Sequence, residues 1–125
     1  MFSQHDQLLH TLSASQLAAA SPPQALPGKR VVELEVAAWL HLPGLRDLPV
    51  SLLVSYRDGE QAREVAVDHG RIGPQQRILL SGVARLPLQD SLEGIELRLR
   101  SAVAAQGIKV EELFIQPIDP SLPPL

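Results

Sequence analysis

The sequence predicts an all-β chain: an antiparallel β-sandwich, jelly-roll or Greek-key-like, with a short N-terminal helix. Three observations carry this. From residue 31 to residue 116 apolar residues recur with period two, the spacing of half-buried strands. Pro-Gly, Asp-Gly and Gly-x-x-Gly steps break that stretch into about six runs, a pattern typical of two packed sheets. Only residues 6–20 carry a helical pattern, with Asp6 as cap and Leu8, Leu9, Leu12 and Leu17 as a stripe.

The elements follow in order. Residues 1–20 form the N-terminal arm and its helix. Residues 21–30, "SPPQALPGKR", are a linker, because three prolines and a glycine prevent regular structure. The sandwich domain is 31–116. Its first strand, 31–42, has Val32, Leu34, Val36, Ala38, Leu40 and Leu42 on one face, which must be core. The other face carries Glu33, Glu35, Trp39 and His41. "GLRDLP" is a loop, and "VSLLVSYR", 50–57, is the second strand.

Asp58-Gly59 signals a hairpin. As a two-residue turn it sets Arg57 against Glu60 and Val54 against Arg63. Ser51, Ser55, Glu64 and Asp68 then collect on the outer face. The third strand is 61–68, and "DHGRIGP" is a loop that carries Asp68 and His69. The fourth strand, about 76–86, is apolar partly on both sides, and Gly82 in its middle marks a bulge or a close backbone approach. The fifth, "GIELRLRS", points Ile95, Leu97 and Leu99 inward and Glu96, Arg98 and Arg100 outward. In the sixth, "IKVEELFIQ", the apolar parity changes between Val110 and Leu113. One extra residue at Glu111-Glu112, a β-bulge, puts Ile108, Val110, Leu113 and Ile115 on one face. The alternative packs Phe114 inward. Residues 117–125, "PIDPSLPPL", form a proline-rich extended tail.

Residues 77–116 resemble the C-terminal part of jelly-roll carbohydrate-binding modules. Leu97-Arg98-Leu99, the Gly107 turn, and Ile108, Val110, Glu111, Glu112, Leu113 and Ile115 carry the resemblance. Glu-Glu stands where those modules usually have an Asp pair, and the chain lacks the tryptophans and tyrosines with which they stack sugars. The resemblance implies the sandwich, and with it a carbohydrate or other small ligand.

Composition narrows the chemistry. The chain has 125 residues, one domain's worth, and 45% of them are hydrophobic, enough for a core. Only 3% are aromatic, so that core must be aliphatic. Nine Arg to two Lys, with abundant Leu and Ala, points to a GC-rich bacterial coding source. A formal net charge of −3 gives no electrostatic reason to meet nucleic acid or anionic lipid. No Cys means no disulfide, thiolate metal site or cysteine nucleophile. The first residues hold no Lys or Arg and no uninterrupted apolar run. No signal peptide or membrane span is therefore expected, and the cytoplasm is the expected location.

Candidate sites are few. Glu33, Glu35, Trp39 and His41 share one strand face and form a candidate ligand or partner face. Arg98 and Arg100, joined by Lys109 and Arg85 if their strands are adjacent, form a candidate anion patch, with pairing to Glu96, Glu111 or Glu112 as the plainer use. His5, His10, His41 and His69 show no His-x-His or His-x-x-x-His spacing, so no metal site is expected. No Gly-x-Ser-x-Gly elbow, P-loop or dinucleotide fingerprint occurs, and no cofactor is expected. An enzyme would have to assemble Asp68, His69 and Glu33 or Glu35 in a cleft. The expectation is a non-catalytic module that binds a protein partner or itself. A small ligand or carbohydrate is the alternative.

Overall fold

A computed structural model describes residues 5–13, 30–89, 92–103 and 107–118. Among the described residues seven strands form: β1 (His5–Ser13), β2 (Arg30–His41), β3 (Pro49–Asp58), β4 (Gln61–Arg71), β5 (Arg77–Leu88), β6 (Leu92–Ser101) and β7 (Lys109–Pro117). They make two antiparallel sheets, β1-β6-β3-β4 and β5-β2-β7. Only β3 and β4 are both consecutive and paired. Every other connection between consecutive strands crosses from one sheet to the other.

The core lies between the sheets and follows from the period-two pattern. Leu34, Val36, Ala38 and Leu40 of β2 face Val50, Leu52, Val54 and Tyr56 of β3 and Ile95, Leu97 and Leu99 of β6, all buried. On β5 the inward row is Ile78, Leu80, Gly82, Ala84, Leu86 and Leu88, which narrows at Gly82. Each fully buried Leu or Ile contributes roughly 2 kcal/mol of transfer free energy.

The N-terminal helix is not what forms. Residues 5–13 are a strand paired with β6, and 14–20 lie outside the described residues. A bulge between Leu8 and His10 explains the misleading spacing: one extra residue, Leu9, lets both Leu9 and Leu12 pack against the core. Most of the 21–30 linker and the tail beyond Ile118 also lie outside the described residues. Pro117 ends β7, and the Ile118 N–H donates to the Glu33 carbonyl at 2.8 Å, so the ladder reaches one residue into the tail.

The β3–β4 hairpin turns one residue later than the sequence suggests. Asp58 pairs with Gln61, and Gly59-Glu60 is the two-residue turn. Gly59 has φ +61° and Glu60 has no positive φ, the pattern of a type II′ turn. Asp58 is drawn into the ladder because its side chain is buried. Its Oδ2 accepts from Arg63 Nε at 3.1 Å and from the Gln89 N–H at 2.9 Å. β4 then runs on to Arg71, so Asp68 and His69 are strand residues, not loop. A bulge at Val67 resets the register from Leu53↔Ala66 to Leu52↔Asp68 and turns Asp68 off the outer face.

That bulge closes one side of the sandwich. A Cβ on Gly82 would lie 2.5 Å from the Val67 carbonyl oxygen, so the β4 backbone rests directly on β5. The Ser81 N–H donates to Asp68 Oδ2 at 2.9 Å across the same seam. The close approach expected at Gly82 is therefore present. So is the β7 bulge: Trp39 pairs with Glu112 and Leu40 with Val110, leaving Glu111 as the extra residue. Ile108, Leu113 and Ile115 pack on the core, while Val110 stays 38% exposed and Phe114 points outward.

Candidate functional site

The two outer faces differ in chemistry. On the four-stranded sheet, Arg100 of β6 donates to both Asp6 oxygens at 2.7 and 2.8 Å and to both Glu64 oxygens at 2.8 Å. Those hydrogen bonds first, and the guanidinium charges of Arg100 and Arg98 after them, hold the Asp6 carboxyl below the usual carboxylate range. They also raise the Arg100 guanidinium further. Arg98 pairs with Glu96 at 3.0 Å. Leu53 faces this side yet is only 4% exposed, and among the described residues Leu8 on edge strand β1 is its exposed large apolar side chain.

The outer face of β5-β2-β7 is apolar at its centre. Parity puts Val31, Glu33, Glu35, Ala37, Trp39 and His41 of β2 on it. Cross-strand register adds Arg77, Leu79, Ser81, Val83 and Arg85 of β5, and Glu112, Phe114 and Gln116 of β7. Leu79, Trp39 and Phe114 are between 41% and 46% exposed, with Ala37 between them, and Val83 and Val31 extend the strip. Charges ring it. Arg85 Nε meets Glu33 Oε2 at 3.0 Å at one end, and Arg77 Nε meets Glu111 Oε1 at 2.9 Å at the other.

The Arg77 end holds an open depression of about 520 Å³ lined by Trp39, Gly73, Pro74, Gln75, Arg77, Glu111 and Glu112. Two loops are stitched together to shape it. The Leu42 N–H donates to the Gln76 carbonyl at 2.8 Å, the Gly44 N–H to Gln76 Oε1 at 2.9 Å, and Asp47 N–H to the Ile72 carbonyl at 2.8 Å. Leu42 and Ile72 are buried beneath. The 73–75 rim is thereby held beside the indole.

All four residues of the odd row, Glu33, Glu35, Trp39 and His41, thus sit on one exposed face. The sequence reading missed their neighbours Leu79, Val83, Phe114, Arg77, Glu112 and the 73–75 rim. The partial two-sided apolarity of residues 76–86 was the available signal. The other grouping does not assemble. Arg98 and Arg100 lie on β6 and Lys109 on β7, in different sheets, because the connection between them crosses the sandwich. Both arginines are paired with carboxylates, and Arg85 is held by Glu33 in the other sheet.

The enzyme-like set is also dispersed. His69 faces out of the four-stranded sheet, where its Nδ1 lies 2.7 Å from Ser51 Oγ. Asp68 does not orient that imidazole. Its Oδ1 accepts the His69 backbone N–H at 2.8 Å and its Oδ2 accepts the Ser81 N–H. Glu33 and Glu35 point out of the opposite sheet. Among the described residues no group of three or more His, Cys, Asp or Glu could hold a metal ion, and no helix is long and apolar enough to cross a membrane. No protein-family model, curated protein or solved structure matches the chain, so its own geometry has to indicate its role.

Proposed function

We propose that this chain is a non-catalytic β-sandwich module of the cytoplasm that works by protein contact through the outer face of β5-β2-β7. The supporting observation is the contrast between the faces. One carries a multidentate ion-pair network; the other leaves Trp39, Leu79, Val83 and Phe114 exposed in one strip within a charged rim. An apolar centre containing aromatics and a polar rim is the anatomy of a protein interface. Phe114 makes a clean probe, since it points away from the core. Affinity capture with the wild type and with Phe114→Glu tests the reading. Proteins held by the wild type and lost by the variant are expected. Identical capture by both, or a wild type that neither captures a protein nor associates with itself, refutes it.

A specific observation favours a second reading, a small polar ligand such as a carbohydrate. The depression sets an indole beside Arg77, Glu111, Glu112 and Gln75, an apolar platform flanked by hydrogen-bonding groups. Titrating a glycan panel against the emission of the only Trp tests it. A saturable change abolished by Arg77→Ala supports this reading, and an unresponsive indole across the panel removes it.

A further inference from the structure

We propose that the partner is a second copy of this chain, and that two β5-β2-β7 faces pack on each other around a two-fold axis lying across the strands. This rests on the protein-contact reading and specifies its occupant. Of a two-fold axis laid along β2 and one laid across it, only the second keeps like charges of β2 apart. With the axis parallel to β2, each β2 residue meets its own copy, so Glu33 opposes Glu33 and Glu35 opposes Glu35, and like charges directly opposed are destabilising. With the axis perpendicular to the strands, the order reverses along each strand and the conflict disappears.

The apolar strip fixes where that axis crosses. Placed between Ala37 and Trp39 on β2, it sets Ala37 against Trp39 of the second copy and Glu35 against His41. On β5 it sets Leu79 against Ser81 and Arg77 against Val83; on β7 it sets Glu112 against Phe114. Trp39, Leu79 and Phe114, each between 41% and 46% exposed in the single chain, then gather at the centre. Glu35 and His41 have no ion pair with other described residues, and this packing gives each a partner of suitable charge or hydrogen-bonding type. The existing Glu33–Arg85 and Arg77–Glu111 pairs stay near the rim, where exposed charges cost least to keep.

Size sets the expected strength. From Glu35 to His41 across three strands the patch measures roughly 14 Å by 23 Å. Two such faces remove roughly 650 Å² from water, below the roughly 1,000 Å² of a stable specific interface and in the range of weak, transient contacts. The dimer is therefore weak and readily reversible, with a dissociation constant expected on the order of 100 micromolar or above.

Sedimentation equilibrium of the full chain over a wide concentration range, with Trp39 emission followed on dilution, tests the proposal. A reversible shift from 13.6 kDa to twice that mass is expected, with the emission moving as the dimer forms. Phe114→Glu should leave a folded monomer. Glu35→Lys and His41→Glu should each raise the dissociation constant about tenfold or more, and the double exchange should restore it to within a few-fold. A dimer that Phe114→Glu leaves intact uses another surface and overturns the inference. A wild-type monomer at every concentration also overturns it. If that monomer still captures proteins that Phe114→Glu loses, the protein-contact reading stands alone; if it captures none, both fail.

Discussion

Gly82→Ala is the smallest change that tests how the two sheets are closed. Gly82 faces inward on β5, between Leu80 and Ala84, and a Cβ there would meet the Val67 carbonyl oxygen at 2.5 Å and Val67 Cγ1 at 3.3 Å. The nearer atom is backbone of a strand bulge, so no rotamer change relieves the contact. β4 must move off β5, which costs about 1–3 kcal/mol as overpacking. The same movement strains the Asp68 Oδ2 to Ser81 N–H bond, a charged-acceptor bond worth about 1.5–3 kcal/mol. Ala gains about 0.5–1 kcal/mol over Gly from reduced chain entropy. The net is a loss of about 2–4 kcal/mol, on the order of 10 °C in melting temperature for a chain of this size. Gly94 of β6 is the control. A Cβ there meets only Leu12 O, at an ordinary 3.7 Å, so Gly94→Ala should be neutral or stabilising by up to about 1 kcal/mol. Urea unfolding of both variants, read as midpoint shifts at constant slope, decides the matter. A Gly82→Ala protein as stable as the wild type would refute direct backbone contact at this seam.

Three further outcomes are expected. Arg100→Gln removes the hydrogen bonds to Asp6 and Glu64 and should cost about 1 kcal/mol near neutral pH, since all three side chains are partly exposed. Because Arg100 lowers the Asp6 pKa from its usual 3.8, that stabilisation is present above about pH 4 and is lost as pH falls through the lower folded value. Acid titration of stability should therefore flatten in the variant. Tyr56 donates to the Pro87 carbonyl at 2.9 Å, and burial raises its pKa above 10.0. Wild-type stability should fall as pH rises past about 10, whereas Tyr56→Phe should lose about 1 kcal/mol at neutral pH and show less of the alkaline fall. Asp58→Ala leaves Arg63 and the Gln89 N–H without their buried acceptor and should cost about 3 kcal/mol, with faster hydrogen exchange at the Gln89 amide.

The legible parts of the fold were those that one strand states by itself. The even row from Val32 to Leu42 is core because six apolar residues at period two have no other use. The parity change between Val110 and Leu113 pointed to a bulge at Glu111-Glu112 or to Phe114 packing inward, and the pairing with β2 selects the bulge, with Glu111 as the extra residue. The errors arose where a partner outside the local window decided. Leu8, Leu9 and Leu12 fit a helix as well as a bulged strand, and pairing with β6, more than eighty residues away, selects the strand. The hairpin moved by one residue because Gln89 and Arg63 hold the Asp58 carboxylate inside, which Asp-Gly turn preference does not encode.

The sequence by itself determined that this is a two-layer strand protein with an aliphatic core, and that Glu33, Glu35, Trp39 and His41 share an outward face. Both follow from side-chain alternation, a property of one extended segment. Only the tertiary structure decided what surrounds that row. Sheet order brought Leu79 and Val83 to one side of β2 and Phe114 to the other, and it sent Arg98 and Arg100 to the sheet opposite Lys109. Strand adjacency depends on which apolar faces bury one another across the whole chain, and spacing within a single strand carries no record of it.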